Sequence, residues 1–146
     1  MTKATRIALV TTGLGTGGGV PTLARWLTQQ LDASDEFTVD VHDLATSSRD
    51  RASRLISRPT SILRSSLRAE GEGYEHWGAN FAEFEPLRYR PRRELTVALN
   101  EYDLVQVVAG GAAIGHAMCR VKVPMSLLAA TRATWERRQS LKSAKG

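Results

Sequence analysis

A run of glycines interrupts this chain directly after its first apolar segment, and it narrows the folds available. Arg6-Ile7-Ala8-Leu9-Val10-Thr11-Thr12 leads into Gly13-Leu14-Gly15-Thr16-Gly17-Gly18-Gly19-Val20-Pro21-Thr22, and then into an amphipathic stretch from Leu23 to Leu31. The apolar run reads as a buried strand and the later stretch as a helix. Pro21 suits a first helical turn, where its missing N–H is not needed. Glycine has no Cβ, so the connecting backbone can adopt φ > 0 and an anion can approach it closely. The helix behind adds unpaired N–H groups and a partial positive charge. The expectation is a site for a phosphorylated, nucleotide-linked ligand.

The rest of the chain continues the alternation. Phe37 to Leu44 has period two and reads as a second strand, nearer a sheet edge than the first, with Phe37, Val39, Val41 and Asp43 on one face. Leu23, Ala24, Trp26, Leu27 and Leu31 share one face of the first helix. Ser47 to Arg68 is rich in Ser and Arg, and Pro59 divides it into two short amphipathic turns. Gly71-Glu72-Gly73 reads as a break, and a third short strand belongs within Tyr74 to Phe84. A helix opens at Pro91 and ends near Asn100. Tyr102 to Ala109 is a strand, Ala112 to Arg120 a small-residue helix and Val123 to Thr131 a last strand. Arg132 to Lys145 reads as a charged helix or a frayed tail.

This order predicts an α/β fold, a Rossmann-like doubly wound parallel sheet in a single domain. The domain is expected over 1–135, with a charged tail over 136–146. Ligands in such sheets bind outside the carboxyl ends of the strands. The glycine loop, Asp43, Gly110-Gly111 and Thr131-Arg132 all fall there.

Composition restricts the partners. The net charge of +5 favours anionic ones. The single cysteine, Cys119, excludes an internal disulfide and suits a reducing compartment. The apolar run Ile7 to Val10 is too short for a signal-peptide core, and nothing reaches the roughly 18 apolar residues of a membrane span. A cytoplasmic protein is expected. Arg49, Arg51, Arg54, Arg58, Arg64 and Arg68 stand against Asp50. They make either a solvated helix pair or a peripheral contact with the inner membrane face. Tyr89-Arg90-Pro91-Arg92-Arg93 is a second basic cluster and a secondary anion site. No nucleic-acid-binding motif accompanies the arginines, so no nucleic acid is expected. His42, His76 and His116 match no zinc spacing, so no metal is expected.

Gly17-Gly18-Gly19-Val20, after a strand and opening a helix, resembles the glycine loop of family 4 retaining glycosyltransferases of the two-domain GT-B fold. Tyr102-Asp103-Leu104-Val105-Gln106-Val107-Val108 is similar to that family's fourth strand. Val123 to Thr131 resembles its fifth strand, and Trp135-Glu136-Arg137-Arg138 resembles the segment beyond that strand. The resemblance implies a domain that holds a hydroxyl acceptor. It also implies a glycine loop whose amides reach the diphosphate of a nucleoside-diphosphate sugar, the donor substrate, with no further cofactor. Gly17, Gly18 and Gly19 inherit the phosphate role, and Gly110, Gly111 and Arg132 are assigned to the acceptor cleft. The catalytic residues stay unassigned. Where family members carry histidines, this chain has Gln106, Val108 and Ala130. The family's second Rossmann-like domain, which binds the donor, is expected as a separate partner, without which this half is inactive.

Two alternatives stand beside this reading. Gly13-x-Gly15-x-x-Gly18 matches the spacing of a dinucleotide fingerprint, with Asp43 as ribose ligand, which makes an NAD(P)-binding domain the first rival. The second is a non-enzymatic module that binds anionic surfaces through the arginine-rich segment.

Overall fold

The computed structural model describes residues 3–56, 68–71 and 73–130. Arg58, Pro59 and Arg64, and the tail from Thr131 onward with Arg132, lie outside the described residues. The elements run β1 (Thr5–Thr12), α1 (Gly19–Asp32), β2 (Phe37–Leu44), α2 (Arg51–Ile56), β3 (Arg68–Gly71), β4 (Tyr74–Trp77), α3 (Glu85–Arg88), α4 (Arg93–Leu99), β5 (Leu104–Ala109), a 3₁₀ helix (Ala112–Met118) and β6 (Met125–Ala129). One sheet of six strands has the order β3-β4-β2-β1-β5-β6. β4, β2, β1, β5 and β6 are parallel, and β3 adds an antiparallel edge through a hairpin with β4. This is an α/β Rossmann-like fold in one small domain.

The two faces of the sheet bury different sets of side chains. Leu9, Ala24 and Val108 form one layer with Val20, Leu23, Leu27, Val39 and Val41, which places α1 on that face. Ala8, Val10, Leu44, Trp77, Leu95, Leu99, Val105, Val107, Ile114 and Met118 form the larger layer beneath α4 and the 3₁₀ helix. The alternation of inward residues along β1 and β5 feeds both layers, as strands covered on both faces require.

Several expectations are corrected. β2 lies inside the sheet, between β1 and β4. Its polar alternation has another cause: on the face away from α1, His42 is buried against Trp77 and Tyr102 and Asp40 is exposed beside Arg6, while Val39 and Val41 face α1. Trp26 is 54% exposed, because it sits two residues from buried Ala24 and so on the opposite side of α1. The stretch after Gly110-Gly111 winds as a 3₁₀ helix. β6 leaves Met125, Leu127 and Leu128 exposed at the sheet edge. Gly71 and Gly73 belong to a hairpin, with Gly73 at φ 73° closing the turn into β4.

Close backbone packing fixes α2. A Cβ on Gly78 would lie 2.3 Å from the carbonyl carbon of Ala52, so only glycine lets α2 rest on the end of β4. Ala79 N–H donates to Ser53 Oγ at 3.0 Å and locks that contact. Arg92, only 2% exposed, donates through Nη1 to the carbonyls of Trp77 and Gly78 at 3.4 and 3.2 Å. Its Nη2 donates to the Arg88 carbonyl at 3.1 Å. Burial pulls its pKa down to about 10.

His42 joins the two halves of the larger layer. Trp77 Nε1–H donates to His42 Nδ1 at 3.1 Å. The ring proton therefore sits on Nε2, which donates to the Tyr102 hydroxyl at 3.1 Å. Burial lowers the His42 pKa from 6.5 to about 4. The unfolded chain thus binds a proton between those values that the folded one does not. Stability is expected to fall by about 3 kcal/mol as pH drops from 6.5 to 4, and His42→Gln is expected to flatten that slope. Urea unfolding at a series of pH values reads both, and a wild-type curve flat across this window overturns the assignment.

Candidate functional site

The carboxyl ends of β1, β2, β4 and β5 carry the glycine loop, the 45–50 loop, the 78–84 segment and Gly110-Gly111. The loop after β1 makes two turns. Gly13, at φ 76°, opens the first, and Thr16 closes it by donating from both its N–H and its hydroxyl to the Gly13 carbonyl, at 3.0 and 2.9 Å. Gly17 at φ 77° and Gly18 at φ 114° then redirect the chain into α1. Thr22 secures the join by donating from N–H and hydroxyl to the Gly18 carbonyl, at 3.1 and 2.8 Å. Among the described residues, the amides of Gly17, Gly18 and Gly19 have no protein acceptor. A Cβ on any of the three would meet no atom within 4 Å. Positive φ accounts for glycine at 17 and 18, whereas neither backbone conformation nor packing calls for glycine at 19.

Asp43 holds the loop from below. Its carboxylate is buried and accepts the Leu14 N–H on Oδ1 at 3.1 Å. Its Oδ2 lies 2.9 Å from His76 Nδ1, an ion-pair approach without hydrogen-bond alignment. His76 Nε2 meets Asp50 Oδ2 at 2.7 Å. Asp50 Oδ1 in turn accepts the Ala52 N–H at 2.8 Å, as the cap of α2. A single imidazole thus bridges two carboxylates and ties the loops after β1 and β2 to β4. Asp43 does most to raise the His76 pKa above its ordinary value, with burial opposing and Asp50 adding to the rise. The folded state holds this proton more tightly than the unfolded chain. The stabilisation is complete below pH 6.5 and is lost as pH rises through the raised value.

Two clefts flank Gly15 and Tyr74. One, of about 450 Å³, is lined by Gly13, Thr16, Asp43, Ser47, Arg49, Asp50 and His76. The other, about 560 Å³, lies between α1 and the hairpin, with Leu14, Ala24 and Val41 as its floor and Arg25, Thr28 and Gln29 on its rim. Arg25 is tied by its guanidinium to the Leu14 carbonyl. Gly17, Gly18 and Gly19 line neither cleft and are exposed. Gly110 and Gly111 lead from β5 into the 3₁₀ helix and also line neither.

The structure brings Asp43 and His76 together from distant parts of the sequence, with Asp50 as their third partner. The signal for Asp50 was its place directly before a helix, where aspartate caps. His116 stands apart from this cluster, on the 3₁₀ helix. No group of metal-binding side chains occurs among the described residues, and no described helix is long and apolar enough to cross a membrane. Comparison with known proteins finds no matching family model, no matching curated protein and no matching solved structure.

Proposed function

We propose that this chain is the acceptor-side half of a glycosyltransferase that uses a nucleoside-diphosphate sugar. The observation that carries the reading is the unpartnered amides of Gly17, Gly18 and Gly19 at a strand-to-helix turn. They lie exposed between β1 and α1, outside both clefts, where a diphosphate held by a second lobe can reach them. A departing diphosphate gains negative charge as the glycosidic bond breaks. Fixed N–H donors aimed at it stabilise the transition state more than the ground state. The 450 Å³ cleft behind the loop is suited to the hydroxyl acceptor, with Ser47 and Arg49 as its polar wall. Retention at the anomeric carbon comes only from the family resemblance.

The geometry favours this reading over dinucleotide binding. Both Asp43 oxygens are engaged, by Leu14 and by His76, so the carboxylate is not presented to a ribose.

The test uses amide NMR of the ¹⁵N-labelled chain with uridine or guanosine diphosphate, and with NAD. The Gly17, Gly18 and Gly19 resonances are expected to move with either diphosphate. Silence at these three residues with both diphosphates, or NAD-induced shifts centred on Asp43, overturns the proposal. Gly19→Ala sharpens the test. Gly19 lies in α1 with open space at its Cβ, so alanine is expected to raise stability by up to ~1 kcal/mol through helix propensity. The same methyl group crowds the anion, and diphosphate affinity is expected to fall.

A further inference from the structure

We infer that the segment after β4 docks the protein on an anionic phospholipid surface. The proposal goes beyond sugar transfer and does not depend on it. Hydrogen bonds from Phe84 N–H to the Phe81 carbonyl, Leu87 N–H to Phe84 and Arg90 N–H to Leu87 run at 3.0, 2.9 and 3.3 Å. These bonds close the turn at 81–84, the first turn of α3 and the turn that follows it, and keep Phe81, Phe84 and Leu87 within one compact segment. Phe81, Phe84 and Leu87 are 54%, 63% and 37% exposed, an apolar prong with no counterpart within the described chain. Phe81 sits at φ 56°, a conformation that bulky residues avoid and that its own exposed ring does nothing to compensate. Glu83 anchors the segment from behind by accepting from the Ser48 N–H at 2.7 Å and from the hydroxyls of Ser47 and Ser48.

Charge identifies the occupant. Arg88 and Arg90 have no carboxylate within ion-pair distance among the described residues. α2, packed against Gly78 and Ala79, brings exposed Arg51 and Arg54 to the same end of the sheet. Exposed aromatic rings at an end of the sheet that carries Arg51, Arg54, Arg88 and Arg90 against the exposed acids Glu83 and Glu85 match an interface that is apolar at depth and anionic at its surface.

Vesicle co-sedimentation of the whole chain tests this, with phosphatidylcholine vesicles against vesicles containing phosphatidylglycerol. Binding is expected only to the anionic vesicles and is expected to be lost at high salt. The double variant F81N/F84S is expected to fold, because asparagine accepts φ > 0, and to partition at least ~10-fold less into anionic vesicles. R54Q/R90Q leaves Phe81, Phe84 and Leu87 and the Arg88 bond to the Ala82 carbonyl in place, and is expected to weaken binding as well. Absence of binding by the wild-type chain overturns the proposal, as does equal binding to neutral vesicles. Unchanged binding by F81N/F84S also overturns it. A change in oligomeric state confined to F81N/F84S reassigns the prong to a contact between copies of this chain.

Discussion

Gly78→Ala is expected to destabilise the domain by about 4 kcal/mol, or to push α2 off the sheet, because the new methyl group has no room. It would lie 2.3 Å from the backbone of Ala52, which cannot move aside as a side-chain tip can. The effect reaches the candidate site. Displacing α2 moves Asp50, whose carboxylate caps that helix and meets His76 at 2.7 Å. The wall of the 450 Å³ cleft moves with it. Urea unfolding measures the stability loss, and the His76 ring resonances report the broken contact. A variant as stable as the parent, with an unchanged His76 environment, would show that α2 does not pack here.

Arg92→Ala is expected to cost about 4 kcal/mol. The substitution opens a cavity and removes the guanidinium donor from the carbonyls of Gly78 and Arg88, while the Trp77 carbonyl keeps the Ala45 N–H at 2.8 Å. Arg92→Met is expected to recover the packing share but not the hydrogen bonds, so its stability should fall between alanine and wild type. Among the described residues the Nε of Arg92 has no acceptor and no carboxylate pairs with its guanidinium, so the cation is held by carbonyl dipoles. Thermal or denaturant unfolding of the three proteins orders them. Equal stability of Arg92→Ala and wild type would remove the three-carbonyl clamp from the account.

Much of the fold was legible because its strands and turns carry local signals. β1 and β5 are continuous apolar runs that stop at glycine, and β2 alternates over the eight residues that form it. The helix placed at Pro91 forms as α4, two residues later. Misreadings occurred where a local signal has two meanings. Gly71 and Gly73 mark a hairpin as readily as a break, and only the pairing of β3 with β4 distinguishes them. A tryptophan near an apolar helix face counts as core until its angular position is fixed. The site was less legible than the fold. Asp43 was singled out at the end of the correct strand, but its role depends on Leu14 and on His76. Asp43, Asp50 and His76 lack a recognisable spacing, since the parallel pairing of β2 with β4 is what brings them together. The glycine loop was legible as a turn, and the openness of its amides needed coordinates.

The ionic bridge through His76 has a mechanical consequence. The connections after β1 and β2 share one joint on β4, so a guest that quiets one of them lowers the entropy cost of ordering the other. Cooperative tightening around a ligand then requires no visible rearrangement, and it should fade as rising pH strips the joint of its proton.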